Sequence, residues 1–289
     1  MLPYLGIEMS ARGTDSWGAS DGYTIIKHIG SIVDSFECPP EWSGHRGIFH
    51  TRSASHGSPK LLDNAHPFEF PKADGGRVIG IHNGIIRTHT DLNTRWNRKF
   101  EVDSMHIYAN FAEGKGVEGL EGYGALAWYE EDQLNFCRFG TQDLHVATLE
   151  GGELVFCSTY TPLSKIARIL GNPIKTNWQI DEFVKYQLTT QDGRDTLLKI
   201  ETLPFEASKK KVTLYPDYSN SGEVGSYPPW NSTSSRPVGT GYWMSTDICY
   251  ICRTTKVDTK KELVCPACLE LQWQEFLDSL KMETSEGVN

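Results

Sequence analysis

From Arg12 to about Pro204 the chain is a succession of short runs rich in β-branched and aromatic residues, each broken by Gly, Asn or Asp. They include "YTIIKHIGSIV", "RVIGIHNGII", "GALAWYE", "LHVATLE" and "ELVFCS". Branched and aromatic side chains suit a pleated surface, and turn residues bound each run, so most of these segments are expected as strands. Helical spacing is restricted to two places. One is "DSMHIYANFAE", where Asp103 or Ser104 is a candidate N-cap, and the other is "PLSKIARIL", which ends at Gly171. Many strands with few helices place residues 1–204 in the α+β class as one domain.

Two changes of composition follow. Residues 219–241, "SNSGEVGSYPPWNSTSSRPVGTG", are rich in Ser, Gly and Pro and poor in aliphatic side chains, so 205–244 is read as a linker. Residues 245–289 hold "CYIC" and "CPAC", a C-x2-C-x12-C-x2-C arrangement of Cys249, Cys252, Cys265 and Cys268. Each pair offers two thiolates to one ion, and four such ligands close a tetrahedral zinc site, so the expected metal is structural zinc in a small ribbon. Leu271, Phe276, Leu277 and Leu280 recur at roughly helical spacing and are expected to pack against it. Cys137 and Cys157 lie in strand-like runs and are expected as buried thiols.

Composition narrows the functional classes. With 38% hydrophobic and 22% charged residues the chain is globular in character, and 28 Lys plus Arg against 37 Asp plus Glu give a net charge of -9. That balance disfavours a broad phosphate-binding surface, which leaves the ribbon as the one place for a nucleic-acid contact. No apolar run approaches the ~20 residues of a membrane span, and the first residues lack a signal-peptide pattern; the expected location is the cytoplasm.

Within about fifty-five residues the chain also gathers "HTRSASHG" (50–57), "NAHPF" (64–68), "IHNGII" (81–86) and "VDS" (102–104). Arg52 offers a planar fork for a carboxylate and Asp103 a partner for an ammonium, which together would hold both ends of an α-amino acid. Asn83 brings a side-chain amide, and Gly84 a backbone N–H that a reacting oxygen can approach closely, the two donors of an oxyanion hole. His82 is expected as a hydrogen-bonded core histidine, and Asn64, His66 and Pro67 as turn formers.

In order and spacing, the motifs "ARGTDSWG", "GHRGIFHTRSASHG", "NAHPF", "HNGII", "VDS" and "FCSTYTPL" resemble the class II glutamine amidotransferase domain, an N-terminal-nucleophile hydrolase, most closely as found in glucosamine-6-phosphate synthase. The resemblance implies a four-layer α-β-β-α sandwich. It also implies hydrolysis of glutamine to glutamate with release of ammonia to an acceptor. Carried over by position, Arg52, aided by Ser55 and His56, would bind the α-carboxylate and Asp103 the α-amino group. Asn83 and Gly84 would form the oxyanion hole, and Arg12 and Asp15 would buttress the sheet. Ser53 and Ser55 stand where close relatives carry Trp and Thr, which implies a more open side-chain channel.

The same resemblance implies a nucleophilic Cys as first residue, its α-amine acting as the base. Here Leu follows Met1. "MLPYLGIEMSARG" matches the family's first helix rather than its first strand, so a strand and turn of roughly 15 to 25 residues are expected in front. An upstream start is the favoured explanation. A non-catalytic amino-acid-binding or scaffold protein with a zinc-ribbon module, and a strand supplied by another chain, are the alternatives. As read, the chain is expected to be inactive, and because 205–289 has no room for a synthase domain, either a protein partner accepts the ammonia or the full chain acts as a stand-alone glutaminase.

Overall fold

The computed structural model describes residues 2–35, 46–169, 171–191 and 194–205. The expected linker, apart from Phe205, and the four-cysteine module lie outside the described residues.

Twelve strands are described: β1 Ser16–Ser20, β2 Ile25–Ile29, β3 Ile48–Arg52, β4 Phe68–Pro71, β5 Arg77–Ile86, β6 Gly122–Glu130, β7 Gln133–Phe139, β8 His145–Leu149, β9 Leu154–Cys157, β10 Ile174–Gln179, β11 Val184–Gln191 and β12 Arg194–Thr202. The helices are α1 Leu2–Met9, α2 Ile32–Ser35, α3 His89–Arg95, α4 Met105–Ala112 and α5 Tyr160–Ile169. The fold is therefore mixed α and β. The run "YTIIKHIGSIV" does not stay extended to its end; it breaks at Gly30, whose φ of 95° suits a residue without Cβ, and α2 follows.

The strands form one six-stranded sheet, β12-β11-β7-β6-β5-β4, and two three-stranded sheets, β2-β1-β3 and β10-β8-β9. Strand β6 shows why the large sheet lies in the middle. Its side chains alternate, and both faces are buried. Leu126 and Trp128 join a cluster with Ile107 and Tyr108 of α4, whereas Ala125, Ala127 and Tyr129 face Ile48 of β3 and Val146 of β8. Helix α4 approaches closely at Gly80, where a Cβ would lie 2.0 Å from the Tyr108 ring. On the far side α1 packs on β3 and on α5, and α5 on β8, β9 and β10.

The three-stranded sheets do not hydrogen-bond to each other. Strands β3 and β9 are edge strands, and residues 46–53 and 153–158 along them line one cavity of about 620 Å3. The large sheet adds residues 81–84 of β5 and 125–127 of β6 to its wall, and α1 adds Leu5, Gly6 and Met9.

Helix α4 occupies its expected place, but neither Asp103 nor Ser104 caps it. Ser104 is the N-cap residue with helical φ and ψ and makes no side-chain capping bond. Its hydroxyl instead meets His82 Nδ1 at 2.9 Å, while Asp103 Oδ2 accepts the Ile86 N–H at 2.7 Å. Both side chains are committed to β5, so the helix start gives up its caps to the site.

Candidate functional site

Arg52 ends β3, where the chain turns into "SASHG". The guanidinium is buried, with the residue 4% exposed. Nη2 donates to the His56 carbonyl, which folds the loop back over it. Nη1 is buried without a hydrogen-bond partner, and Arg52 lines the cavity. A buried unpaired donor of this kind costs free energy until an acceptor arrives, which makes it a ready anion contact. Burial lowers the Arg52 pKa from its usual value, and the carboxylates of Asp15 and Asp103 oppose that shift. Asp15 fixes the turn from below: its Oδ2 accepts the Ala54 N–H at 2.8 Å, and its own N–H donates to the Arg52 carbonyl at 3.0 Å.

Asp103 is 2% exposed. Oδ2 is held by the Ile86 N–H, and Oδ1 lies 3.6 Å from His56 Nδ1, too far for a good hydrogen bond. The Ser55 hydroxyl meets the same His56 nitrogen at 3.2 Å. Arg52, Ser55, Asn83, Gly84 and Asp103 all line the one cavity, and His56 adjoins both ends of the clamp through its carbonyl and its ring.

The backbone of β5 decides which way Gly84 can donate. β4 pairs only with Arg77 to Gly80, so beyond Gly80 the outer edge of β5 has no strand partner among the described residues. The Ile86 N–H leaves that edge for Asp103, and in a strand N–H groups two residues apart point the same way. The Gly84 N–H is therefore directed to the same free edge. No side chain could replace the glycine, because a Cβ would lie 2.1 Å from the Tyr123 carbonyl oxygen.

A buried guanidinium, a buried carboxylate and the amide groups of Asn83 and Gly84 thus line one cavity. No protein-family model matches the chain. It is 31% identical over 155 residues to the glutamine–fructose-6-phosphate aminotransferase (isomerizing) of Lactococcus lactis subsp. lactis, a match covering 49% of this chain and 25% of that protein. Against glutamine–fructose-6-phosphate aminotransferase (isomerizing) 2 of Bos taurus, identity is 31% over 201 residues, covering 62% of this chain and 27% of that protein. Among solved structures, the allosteric regulatory enzyme of purine biosynthesis shares the fold with a TM-score of 0.52 at 18% identity, over 68% of this chain and 46% of that one. The described residues are thus similar in sequence to part of those aminotransferases and share the fold of that purine-biosynthesis enzyme. The chain spans about a quarter of the length of the curated relatives it matches.

His82 is a core histidine, with Nδ1 on Ser104 and Nε2 3.3 Å from the Tyr123 carbonyl oxygen. Asn64 ties its loop together, donating to Ser58 O at 3.1 Å and Glu101 Oε2 at 2.8 Å. Arg12 reaches Thr159 Oγ1 at 2.6 Å and so links the start of the domain to the end of β9.

Two features were not foreseen from sequence. The His50 and His66 rings meet at a tilt of 39° with centroids 4.1 Å apart, and both line the cavity. Burial depresses both, His50 to about 3 and His66 well below its usual value, so both are neutral at pH 7. They put an uncharged wall beside Arg52, which keeps the local dielectric low and the guanidinium strongly felt. The signal in "FHTR" and "NAHP" is only a repeated His, with nothing to show that the two rings meet. Cys157, whose Sγ lies 3.6 Å from Met9 Sδ, also lines the cavity, and burial raises its pKa, the opposite of an activated thiol. Cys137 is buried in β7 and is pushed up to about 12.

Proposed function

We propose that this domain binds L-glutamine, or a closely similar amino acid, and supports hydrolysis of its side-chain amide to glutamate and ammonia. The observation that carries the proposal is the convergence of Arg52, with its unpartnered Nη1, and Asp103 on the cavity that Asn83 and Gly84 also line. The α-carboxylate would accept from Arg52 and the α-ammonium would donate to Asp103. That leaves the side-chain carbonyl free to lie against the Asn83 amide and the Gly84 N–H, where each donor would be worth about 3 kcal/mol to an oxyanion.

The reaction needs a thiol, and Cys157 is a poor candidate because its proton is held tightly. The parallel slot between β3 and β9 supplies a place for a better one. Strands of five and four residues bound it, so an extended segment of about four to five residues, some 13–17 Å at ~3.3 Å per residue, would match its length. Such a strand would satisfy both facing edges, turn the split layer into one continuous sheet and complete a four-layer α-β-β-α sandwich. With Cys as its first residue, the sulfur would add to the amide carbon and the α-amine would pass the thiol proton to the departing nitrogen as ammonia. Water would then cleave the thioester to glutamate and free thiol.

The four-cysteine module is part of the same proposal. Cys249, Cys252, Cys265 and Cys268 would hold structural zinc, and the ribbon would dock a protein partner that accepts the ammonia in the cytoplasm. Metal content of the purified chain tests this directly, with one zinc per chain expected and loss on replacing Cys265 by Ser.

Residues 1–289 should bind glutamine without turning it over, and fusion of an N-terminal strand that begins with Cys should bring glutamate release. Turnover by the unextended chain that is abolished by Asp103→Ala would contradict the assignment of the nucleophile. The second reading, a non-catalytic amino-acid-binding or scaffold protein, draws on the protonated state of Cys157, the thiol at the cavity among the described residues. It would prevail if the fused protein bound glutamine and still released no glutamate.

A further inference from the structure

The opposite end of the space between the sheets carries a second pocket whose chemistry differs from that of the clamp. Arg46 and Asp195 line both this pocket and the larger cavity, and Arg52 lies six residues beyond Arg46 on one extended segment, roughly 20 Å along the chain at ~3.3 Å per residue. The second pocket is an open depression of about 390 Å3. Its walls come from the end of β1, the end of β6 with the β6–β7 turn, the start of β3 and the β11–β12 hairpin.

The charges in it do not cancel. Asp21, Asp132 and Asp195 line the pocket together with the guanidinium of Arg46. That guanidinium is already engaged: Nη2 lies 2.6 Å from Asp195 Oδ1 and also meets Thr190. Asp21 is 7% exposed, and its Oδ1 accepts the N–H groups of Tyr23 and Thr24 at 2.9 and 2.7 Å. The Asp132 carboxylate interacts with the Tyr23 hydroxyl, which also lines the pocket, and among the described residues neither Asp21 nor Asp132 forms an ion pair, so the carboxylates lining the pocket outnumber its cations by two.

A buried group independent of those carboxylates also points to a ligand. Tyr129 is 5% exposed and lines the same pocket, yet its hydroxyl has no hydrogen-bond partner. Burial first, and then the Asp21 carboxylate, raise the Tyr129 pKa, so the phenol stays protonated and can both accept from a cation and donate to a carboxylate. A buried hydroxyl left unpaired is a standing cost that a bound donor would remove.

The geometry of the donors selects among cations. Among the described residues no three His, Cys, Asp or Glu side chains converge closely enough to hold a metal ion. Separated carboxylates and a phenol suit instead an organic cation whose N–H groups spread over several acceptors. From the excess charge, the orphaned Tyr129 hydroxyl and the want of a metal-binding group among the described residues, we propose that this pocket binds a small organic cation bearing primary ammonium groups, a diamine fitting the two-charge excess best.

Calorimetric titration of the full chain with putrescine, n-butylamine and magnesium chloride, at matched ionic strength, tests this. Putrescine should bind saturably at up to millimolar concentrations and more tightly than n-butylamine, and magnesium should not compete. Asp132→Asn should weaken putrescine by about tenfold, as loss of one charge-assisted hydrogen bond implies, and Tyr129→Phe by a smaller factor. The exposed Asp132 side of the pocket makes the first variant safe for folding, which covers the case in which Tyr129→Phe disturbs the core. Arg52→Ala should leave putrescine binding unchanged, so the result stands apart from that for the glutamine clamp. Absence of saturable binding, equal binding by Asp132→Asn, or binding of magnesium in place of the amine would each overturn the proposal.

Discussion

The two β layers of this domain differ in completeness. The six-stranded sheet is continuous from β12 to β4, with Trp128 and Leu126 on one face, Ala125 and Ala127 on the other, and all four buried. The facing layer is divided into two three-stranded sheets whose edges, β3 and β9, look into the cavity. The clamp is built across this contrast. Asn83, Gly84 and, through the Ile86 N–H, Asp103 are anchored to the complete sheet, while Arg52 ends an edge strand of the divided one. The donors that would face a developing charge thus rest on the stiff layer, and the group that would grip the ligand's end rests on the layer with an open slot.

Substitutions in the two layers should separate them. Trp128→Ala empties a fully packed position of the complete sheet and should cost about 3–5 kcal/mol, read as a lowered urea midpoint with unchanged slope. Equal tolerance of Trp128→Ala and a cavity-wall change would break the comparison. Acidification should act next. His50 and His106, depressed by burial to about 3 and about 4, bind protons more readily in the unfolded chain, where an imidazole titrates near 6.5. Stability should therefore be complete above about pH 6.5, fall as the pH drops through that value and stop falling near pH 3–4. Denaturation at successive pH values measures this, and His106→Gln should flatten the slope.

Ile48→Ala lies on the cavity wall, where space for relaxation already exists, and should cost only about 2 kcal/mol, the lower end for such a truncation. Smallest of all, Glu69→Gln removes a surface pair with Arg77 at 2.9 Å and should change stability by no more than about 0.5 kcal/mol. A larger effect there would show that the outer hairpin contributes more than its exposure suggests.

The sequence made the residues of the site easier to find than their supports. Arg52, Asn83, Gly84 and Asp103 stand in short motifs whose chemistry is local, and the structure brings them to one cavity. The strands of "RVIGIHNGII" and "LHVATLE" were legible because two-sided burial leaves nearly continuous apolar runs. By contrast β10, "IKTNWQ", escapes pattern reading because it is an exposed edge whose two apolar residues, Ile174 and Trp178, are separated by three polar ones. The β11–β12 hairpin escapes it too, since exposed Leu198 and Ile200 blur its alternation. The capping role expected of Asp103 or Ser104 failed for a tertiary reason: β5 offers His82 and the Ile86 N–H, and nothing near residue 103 in sequence reveals it. The His50–His66 contact is likewise a property of strand β3 and the loop before β4, which only the fold brings together.

The most direct measurement of the clamp is a binding cycle by calorimetry on residues 1–289, using L-glutamine and 4-aminobutanamide, its analogue without the α-carboxylate, on the unaltered chain and on Arg52→Ala. The unaltered chain should prefer glutamine by roughly 30- to 1000-fold, the equivalent of about 2–4 kcal/mol for a buried charge-assisted contact, and Arg52→Ala should bind the two ligands almost equally. If the variant kept the full preference, the carboxylate would be held elsewhere and Arg52 would have no part in recognising it.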